Sequence, residues 1–400
     1  MAASWRGVAL IAGWQTVASL GYYTAFAATG IIRTVFGLSE LFVGLFITTT
    51  VMGYTLALLP SGALVDAYGD RRIMTLAMGG LIIGLVGVSI APSYPALLLA
   101  GLLLGAAYAP AMPASNRGIV AAAPTGHTNL AMGLKQVGVT TGSAIAAVLI
   151  TSLAVVAAWQ SGFLLIAAVC GVVAIVFGLR YHGVEGGGHV HRPDLSMLRQ
   201  TAGYLPLVVA GAVIGSTIFT TLSYTILYAE DVAGVGVAAA GGILAATQLT
   251  GSMGRVLAGS LADRIGGVHG PIRVIGLQML AASVLFGILG SVPADPRVVT
   301  VIFAALGVSM LGSPGVFYSA LTQLVPRSAI GTATAVGQMA INIGGLVTPP
   351  LFGLVVESAG YGQAWLVPAV LSGLALAALG LVHRQVGASP LQGARTGSES

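Results

Sequence analysis

Long apolar runs separated by short polar breaks recur along the whole chain. A helix needs roughly 17–25 residues to cross a bilayer, and most of the runs have that length. Helices are the expected structure, because an open sheet edge or a loop in hydrocarbon would leave backbone groups without hydrogen-bond partners. The pattern predicts twelve spans, at 7–29, 41–64, 73–92, 97–122, 129–156, 159–181, 204–229, 236–260, 272–292, 298–324, 329–356 and 362–383.

The polar breaks at 62–72 and 259–267 are similar to each other. The first reads Gly-Ala-Leu-Val-Asp-Ala-Tyr-Gly-Asp-Arg-Arg and the second Gly-Ser-Leu-Ala-Asp-Arg-Ile-Gly-Gly, at an offset of 197 residues (62 to 259). At an offset of 202, three residues of the fourth and fifth spans meet identical residues of the tenth and eleventh: Gly105 and Gly307, Gln136 and Gln338, Gly142 and Gly344. These matches indicate a duplicated unit, and parallel repeats in membranes are typical of two bundles that move around a central site.

The sequence therefore predicts an all-α, polytopic membrane protein with two pseudo-symmetric six-helix bundles. The bundles are expected at 1–181 and 204–384, joined by a cytoplasmic linker at 182–203 and followed by a disordered tail at 385–400. The first apolar run is longer than the hydrophobic region of a signal peptide, which spans roughly 7–15 residues, and is interpreted as a retained span. Glycine pairs four residues apart, such as Gly138 and Gly142, favour close helix packing.

Composition supports the membrane interpretation. The chain is 56% hydrophobic and 7% charged, whereas a soluble domain has about 25% charged residues. The net charge of +5 does not indicate nucleic-acid binding, because the basic residues are dispersed at the ends of apolar runs. They lie mainly at alternate ends, so the positive-inside rule predicts a cytoplasmic-membrane protein with both termini in the cytoplasm.

Motifs of other functional classes are missing from the sequence. It has no phosphate-binding loop, no H-E-x-x-H and no G-x-S-x-G context, and it has no selectivity-filter motif of a pore. Cys170 is the one cysteine, which excludes an intrachain disulfide. His182, His189 and His191 surround a glycine-rich linker and are interpreted as solvated residues, with a metal site as the other interpretation. We expect no enzyme activity and no cofactor.

The two polar breaks resemble the signature loops of the major facilitator superfamily, between spans two and three and between spans eight and nine. The resemblance covers roughly residues 5–385 through span count, repeat and loop placement. It implies a secondary transporter with alternating access and a central cavity. It also implies a conformational latch on the cytoplasmic side, made by Gly62, Asp66, Gly69, Arg71, Arg72, Arg255, Gly259, Asp263 and Arg264.

The chain departs from the family pattern at several positions. Ala67 follows the first aspartate, where a basic residue is frequent, and Gly101 replaces the arginine of a family motif tied to proton coupling. The segment 138–143 resembles the antiporter motif but lacks its proline. These differences weaken the interpretation as a proton-driven drug exporter.

Three charged residues stand out inside predicted spans, Arg117, Lys135 and Arg255, and a charge there costs at least about 2.5–3.5 kcal/mol on insertion scales. Arg117 and Lys135 each lie about 10 Å from the cytoplasmic end of their helix. They either face the cavity and attract an anionic substrate or extend to the headgroups. The segment 131–138 also resembles organic-anion and cyanate-permease-like branches. Arg255, close to the second break, is expected in the latch.

Polar and aromatic side chains inside the spans are further cavity candidates, because the family lines its cavity with the first, fourth, seventh and tenth helices. Interhelical hydrogen bonds or an interfacial aromatic belt are the other explanation for each. The candidates are Trp14, Gln15, Tyr22, Tyr23, Asn116, Gln136, Tyr224, Tyr228, Tyr318, Gln338 and Asn342.

The expected function is secondary active transport of a small organic or inorganic anion by a monomer in the lipid bilayer. The alternative is an exporter of drugs or other neutral or cationic hydrophobic compounds, with proton antiport as one mechanism. No Asp or Glu lies clearly in mid-span, so the sequence leaves the coupling ion open. A receptor on the same scaffold would bind a ligand without flux.

Overall fold

The protein is described by a computed structural model that covers residues 5–124, 128–186, 195–291, 295–326 and 330–387. Among these residues there are helices and turns but no strands, so the predicted all-α class is confirmed. The first half contains α1 (Trp5–Ala27), α2 (Thr29–Phe36), α3 (Glu40–Tyr68), α4 (Asp70–Ser89), α5 (Tyr94–Tyr108), α6 (Ala111–Ala122), α7 (Thr128–Val156) and α8 (Gln160–Arg180). The second half contains α9 (Leu195–Gln200), α10 (Tyr204–Asp231), α11 (Val237–Ile265), α12 (His269–Leu289), α13 (Pro296–Leu306), a π-helical turn (Gly307–Leu311), α14 (Ser313–Leu324) and α15 (Ile330–Gly387).

Helices lie in each of the twelve predicted spans over the residues that the structure describes. In the described part of the chain, nine stretches are long and apolar enough to cross a membrane, and 333–387 counts as one of them. Gly360 divides that stretch into two arms, because its φ of 82° and ψ of 168° are not helical. Helices α1 and α11 have the length of a span but lie outside the nine. Both carry polar side chains that contribute to the central cavity described below.

The internal repeat is visible in the helix bounds. Helices α3 and α11 begin and end 197 residues apart (40 to 237, 68 to 265), and each is followed by a glycine with positive φ, 83° at Gly69 and 76° at Gly266. Helices α6 and α14 begin and end 202 residues apart (111 to 313, 122 to 324). Both offsets are those of the sequence repeat, so duplicated sequence has folded into duplicated structure.

The first polar break is mostly helical rather than an extended loop. Residues 62–68 form the last turns of α3, and 70–72 begin α4. Gly69 alone has a non-helical backbone, and its left-handed φ lets two long helices follow each other directly. The predicted span 41–64 is therefore longer than expected, since α3 continues to Tyr68.

Two predicted spans are interrupted. Span 97–122 is divided into α5 and α6 around Ala109 and Pro110, because proline supplies no backbone N–H to the helix. Span 298–324 is divided by the π-helical turn before α14. Both breaks lie beside the central cavity described below. π-Helical turns are frequent at functional sites.

The two halves pack through equivalent helix pairs. Within each half, α1 packs on α7 and α10 packs on the first arm of α15. Between the halves, α3 packs on α15 and α7 packs on α11. Because α3 and α11 are copies, as are α7 and the first arm of α15, each inter-half contact is the counterpart of the other. A pseudo-twofold axis between the halves requires such a pair of equivalent contacts, because it exchanges one half with the other.

Glycines permit the closest of these helix contacts. A Cβ at Gly142 would lie 2.1 Å from the Thr16 carbonyl oxygen, and a Cβ at Gly344 would lie 2.0 Å from that of Ala212. No side chain fits at such distances, so α1 and α7, and likewise α10 and α15, approach backbone to backbone. The two glycines are equivalent in the repeat.

Candidate functional site: a central cavity between the halves

A cavity of about 270 Å³ lies between the two halves. Helices of both halves contribute to its wall. A cavity on the pseudo-twofold axis is expected to have such a wall, because the axis exchanges the two halves. The lining residues are Tyr22, Tyr23, Tyr54, Tyr108, Met112, Gln136, Val139, Thr140, Ser143, Ile218, Phe219, Leu222, Gln248, Arg255, Leu311, Pro314, Gly315, Tyr318, Gln338 and Ile341.

Tyrosines form the wall of the first half. The rings of Tyr22 and Tyr108 stack at 4.3 Å with an interplanar angle of 6°, and Tyr23 and Tyr54 pack around them. The Tyr108 hydroxyl forms hydrogen bonds with Ser19 (3.0 Å) and Gln15 (3.3 Å). The Tyr22 hydroxyl is buried and has no hydrogen-bond partner among the described residues. A ligand oxygen in the cavity could supply that partner.

Arg255 lies in the wall of the second half. Its Nε donates to the Leu311 carbonyl oxygen at 3.0 Å, which fixes the plane of the guanidinium. The described residues offer no acceptor to its two terminal nitrogens, which remain available to a ligand. No Asp or Glu is among the lining residues. The sequence placed Arg255 in the latch, but the structure places it in the cavity wall.

A chain of hydrogen bonds extends from the cavity into the second half. The Tyr318 hydroxyl donates to Gln338 Oε1 at 2.5 Å, and Gln338 Nε2 donates to Asn342 Oδ1 at 2.9 Å. Asn342 is fully buried, and its Nδ2 has no partner among the described residues. Three of the predicted candidates are therefore held together, with two of them at the cavity surface.

Lys135 and Asn116 lie behind the cavity wall. Lys135 is fully buried, and its Nζ donates to Asn116 Oδ1. The same nitrogen lies 3.8 Å from the sulfur of Met112, which lines the cavity, and the next residue in sequence, Gln136, lines it too. The structure thus brings this pair of candidates within one side chain of the cavity.

Other candidates lie outside the cavity lining: the Trp14 indole donates to the Met74 carbonyl oxygen, and the Tyr228 hydroxyl to that of Leu289. Arg117 donates to the carbonyl oxygens of Val65 (3.1 Å) and Glu185 (2.7 Å), at the first polar break. The Tyr224 hydroxyl donates to the carbonyl oxygens of Glu40 (2.7 Å) and Pro349 (2.8 Å), at the opposite end of the bundle. None of these candidates is among the residues that line the cavity.

The first polar break is held by a buried carboxylate that the predicted latch did not include. Asp70 accepts hydrogen bonds from the Tyr181 hydroxyl, the Val184 amide and the Arg71 amide, each at 2.7 Å. Arg71 donates to the Gly178 carbonyl oxygen. These bonds fix α4 to the end of α8 inside the first half.

The other predicted latch residues show fewer contacts. The side chain of Asp66 lies outside the described residues, and Arg72 is exposed. At the second break Asp263 and Arg264 are exposed as well. Gly62 and Gly259 have open space around a Cβ position. Among described residues, the hydrogen bonds of the first break stay within the first half and the start of the linker.

An ionic seam closes the opposite end of the bundle; we use this name for Arg33, Glu40, Asp231, Glu357 and Tyr361. Arg33 donates to both oxygens of Asp231, with Nη2 to Oδ1 at 2.6 Å, and to Glu40 at 3.0 Å. Tyr361 donates to Asp231 at 2.9 Å, and Glu357 accepts from the Leu41 amide at 2.7 Å. The bond to Asp231 raises the pKa of the Arg33 guanidinium above its ordinary value.

Hydrogen bonds between the halves continue from the ionic seam to the cavity. Thr48 donates to the Leu346 carbonyl oxygen at 2.8 Å. Nearer the cavity, Gln248 donates to Ser143 and Ser252 donates to Thr140, each at 2.5 Å. The halves are therefore joined from the cavity to the Arg33 end.

Metal binding has little support in the described part of the chain. No group of three His, Cys, Asp or Glu side chains there could hold an ion. His182 lies at the first polar break, whereas His189 and His191 lie outside the described residues.

Comparison with known proteins gives one family. A profile described as the Major Facilitator Superfamily matches residues 11–345. Two uncharacterized MFS-type transporters, from two strains of Mycobacterium tuberculosis, are each 26% identical over 328 residues, which is 80% of this chain and 72% of theirs.

Solved transporter structures share the fold. A bacterial homolog to the human lysosomal transporter Spinster superposes with a TM-score of 0.77 in its inward-facing occupied conformation, at 17% identity over 94% of this chain and 96% of that one. Its inward-facing unoccupied conformation gives 0.79, at 16% identity over 96% and 98%. A mutant of the nucleoside transporter NupG gives 0.78, at 12% identity over 94% and 98%.

Proposed function

The chain belongs to the Major Facilitator Superfamily, and on that premise we propose that it is a secondary active transporter of a small organic or inorganic anion. A multi-pass membrane protein of this family has a small-molecule substrate. Its class as an anion is supported above all by Arg255, the one charged residue in the cavity lining. A guanidinium with two free terminal nitrogens matches a carboxylate in a bidentate arrangement.

The rest of the cavity wall is suited to the organic part of such a substrate. The tyrosine rings supply apolar faces, and the hydroxyls and amides of Tyr22, Gln136, Tyr318 and Gln338 supply hydrogen-bond partners. These residues, with Arg255, form the proposed binding site. Arg117 and Tyr224 are proposed to hold helices together, since their polar groups bind backbone carbonyl oxygens.

We propose that this conformation faces the cytoplasm. Basic residues at the polar breaks support an orientation in the cytoplasmic membrane with the 62–72 end and both termini on the cytoplasmic side. The ionic seam then closes the outer side. In the outward-facing state, the two polar breaks would meet and form the latch, with Asp66, Asp263 and the neighbouring arginines as its charged groups. We propose a monomer for this cycle.

Uptake into proteoliposomes tests the substrate class. The panel contains carboxylates such as benzoate, cyanate-like anions, sugars and cationic dyes. We expect saturable uptake of at least one anion, and Arg255→Ala should lower kcat/KM by about 10- to 100-fold, since a hydrogen bond to a charged group contributes about 1.5–3 kcal/mol. Arg199→Gln, which removes an exposed arginine far from the cavity, is the matched control.

Three results would contradict the proposal. Uptake of dyes but no anion would favour the exporter, for which aromatic walls are also suited. Anion uptake that Arg255→Ala leaves unchanged in a folded protein would remove Arg255 from the site. Ligand binding without flux in any direction would favour a receptor.

A further inference from the structure

Lys135 is the only lysine of the chain and one of its most buried side chains. It lies on α7 with none of its surface exposed. Within the described ranges, the Nζ atom has one oxygen acceptor, the amide of Asn116, and a sulfur neighbour, Met112. Because Met112 lines the cavity, the amine lies one side chain behind the proposed anion site.

The helices packed on α7 offer no carboxylate near this amine. These helices are α1, α6, α8 and α11, with Tyr108 at the end of α5 beside them. Their described titratable and charged groups are Arg6, Tyr22 and Tyr23 on α1, Arg117 on α6, Cys170 and Arg180 on α8, and Arg255, Asp263 and Arg264 on α11. Asp263 is the one carboxylate, and it is exposed about 12 Å beyond Arg255 along the helix.

An ammonium at this position would therefore be a buried charge without a counter-ion among the described residues. It would present three N–H groups to one amide oxygen and a thioether, and such a charge in a bilayer costs at least about 2.5–3.5 kcal/mol. A neutral amine satisfies the site with one donated hydrogen bond. An anion in the cavity reverses this preference, because a nearby negative charge favours the ammonium.

We infer that Lys135 is the proton-binding site that couples transport to a proton, so that the carrier moves an anion together with H⁺. Lys135 takes one proton from the solution on the side where the anion enters, which converts the amine to an ammonium by forming an N–H bond. It returns that proton when the anion leaves. Arg255 cannot do this, because a guanidinium keeps its proton whereas lysine exchanges it readily. The inference rests on the anion carrier proposed above and names its coupling ion.

The first experiment is NMR spectroscopy, in which the single lysine gives a single side-chain resonance. Protein labelled with ¹⁵N and ¹³C in lysine is placed in lipid nanodiscs, and the one side-chain resonance is assigned by its loss in Lys135→Met. At about pH 7.5, where an ordinary lysine is fully protonated, we expect the chemical shift of a neutral amine without added anion. An ammonium shift under those conditions overturns the inference.

The second experiment asks whether this proton changes the balance between the two faces. Spin labels at Leu76→Cys on α4 and Leu277→Cys on α12, both exposed, report the distance between the halves in a Cys170→Ala background. We expect the ratio of the two distance populations to change by about 10-fold between pH 8 and pH 5.5, which corresponds to about 1.4 kcal/mol.

Two variants fix the charge of residue 135. Lys135→Met should hold the high-pH distribution and Lys135→Arg the low-pH distribution, both without pH response. A pH response that persists in either variant overturns the inference. If a variant does not fold, the resonance of the unmodified protein still decides. Neither experiment needs a transported substrate, so Lys135 can fail as the proton site while anion uptake stands.

Discussion

The Tyr22 hydroxyl is a buried polar group without a hydrogen-bond partner in the part of the chain that the structure describes. Its ring is fixed against Tyr108, which limits the directions in which the hydroxyl can point. An unsatisfied buried hydroxyl costs about 1–3 kcal/mol, so a structure that retains one has a reason outside its own stability. Because this hydroxyl lies in the cavity wall, we propose that it is kept for the substrate.

Tyr22→Phe should therefore separate stability from transport. We expect the melting temperature to stay the same or rise, because an unpaired polar atom is removed. The KM for the anion should rise by about 10-fold if a hydrogen bond of about 1.4 kcal/mol is lost. Thermal unfolding in detergent and uptake kinetics measure the two effects.

Tyr108→Phe is the matched comparison for that substitution. Its hydroxyl bonds Ser19 and Gln15, so its removal should lower the melting temperature. If Tyr22→Phe instead destabilised the protein and left KM unchanged, the hydroxyl would have a structural role.

At the scale of helices, the sequence predicted where along the chain each helix lies. It did not predict which face of each helix points toward the cavity. Run length and the repeat placed the spans, since both are properties of the chain alone. The faces of the helices could not be predicted, because a helix that is apolar all round gives no amphipathic signal. Arg117 and Arg255 show the result: the first binds α3 and the second lines the cavity.

Some cavity residues could not be identified from the sequence. Tyr54 and Tyr108 sit in apolar runs where tyrosine is ordinary, and only their packing around Tyr22 distinguishes them. Gln136 and Gln338 were easier to find, since an amide inside a span needs a partner and both occur at the same position of the repeat. Arg33 and Asp231 are 198 residues apart, and nothing local connects them.

Glycine on α7 allows a prediction about helix packing. Gly142→Ala would bring a methyl group to about the position 2.1 Å from the Thr16 carbonyl oxygen, so α1 and α7 must separate. We expect a destabilisation of about 1–3 kcal/mol, the usual cost of overpacking. The melting temperature of the purified protein measures it.

Gly133 on the same helix is the control. Nothing lies within 4 Å of its Cβ position, and alanine is the better helix former by about 1 kcal/mol. Gly133→Ala should be neutral or stabilising. Equal effects of the two substitutions would show that Gly142 is not needed for the approach of α1 and α7.

For the whole molecule, closure is uneven between the two ends. The ionic seam joins the halves on one side of the cavity. The hydrogen bonds from Thr48 to Leu346 and from Ser252 to Thr140 join them further. At the other end Asp263 and Arg264 are exposed. A carrier that opens alternately to the two sides of the membrane needs a difference in the strength of closure between its two ends. The more weakly closed end is the one that is open.

Reversing the charges of the ionic seam should change that balance. The Arg33 and Asp231 side chains are 20% and 29% exposed, so the pair contributes about 1 kcal/mol after solvent screening. Asp231→Arg should thus reduce the population closed at this end by about 5-fold. Spin labels across the halves measure the change.

The double variant Arg33→Asp with Asp231→Arg should recover part of the loss. Recovery is partial because Glu40 and Tyr361 still meet the exchanged charges. A single variant that leaves the distances unchanged would show that the seam does not hold the Arg33 end closed.

The burial of the only lysine has a practical consequence. A lysine-specific protease has one cleavage site in the 400 residues, and folding hides it in the interior. Digestion would leave the intact fold uncut and would divide an opened chain once, into pieces of 135 and 265 residues. Two gel bands would then report local opening around α7, without a label or a known ligand.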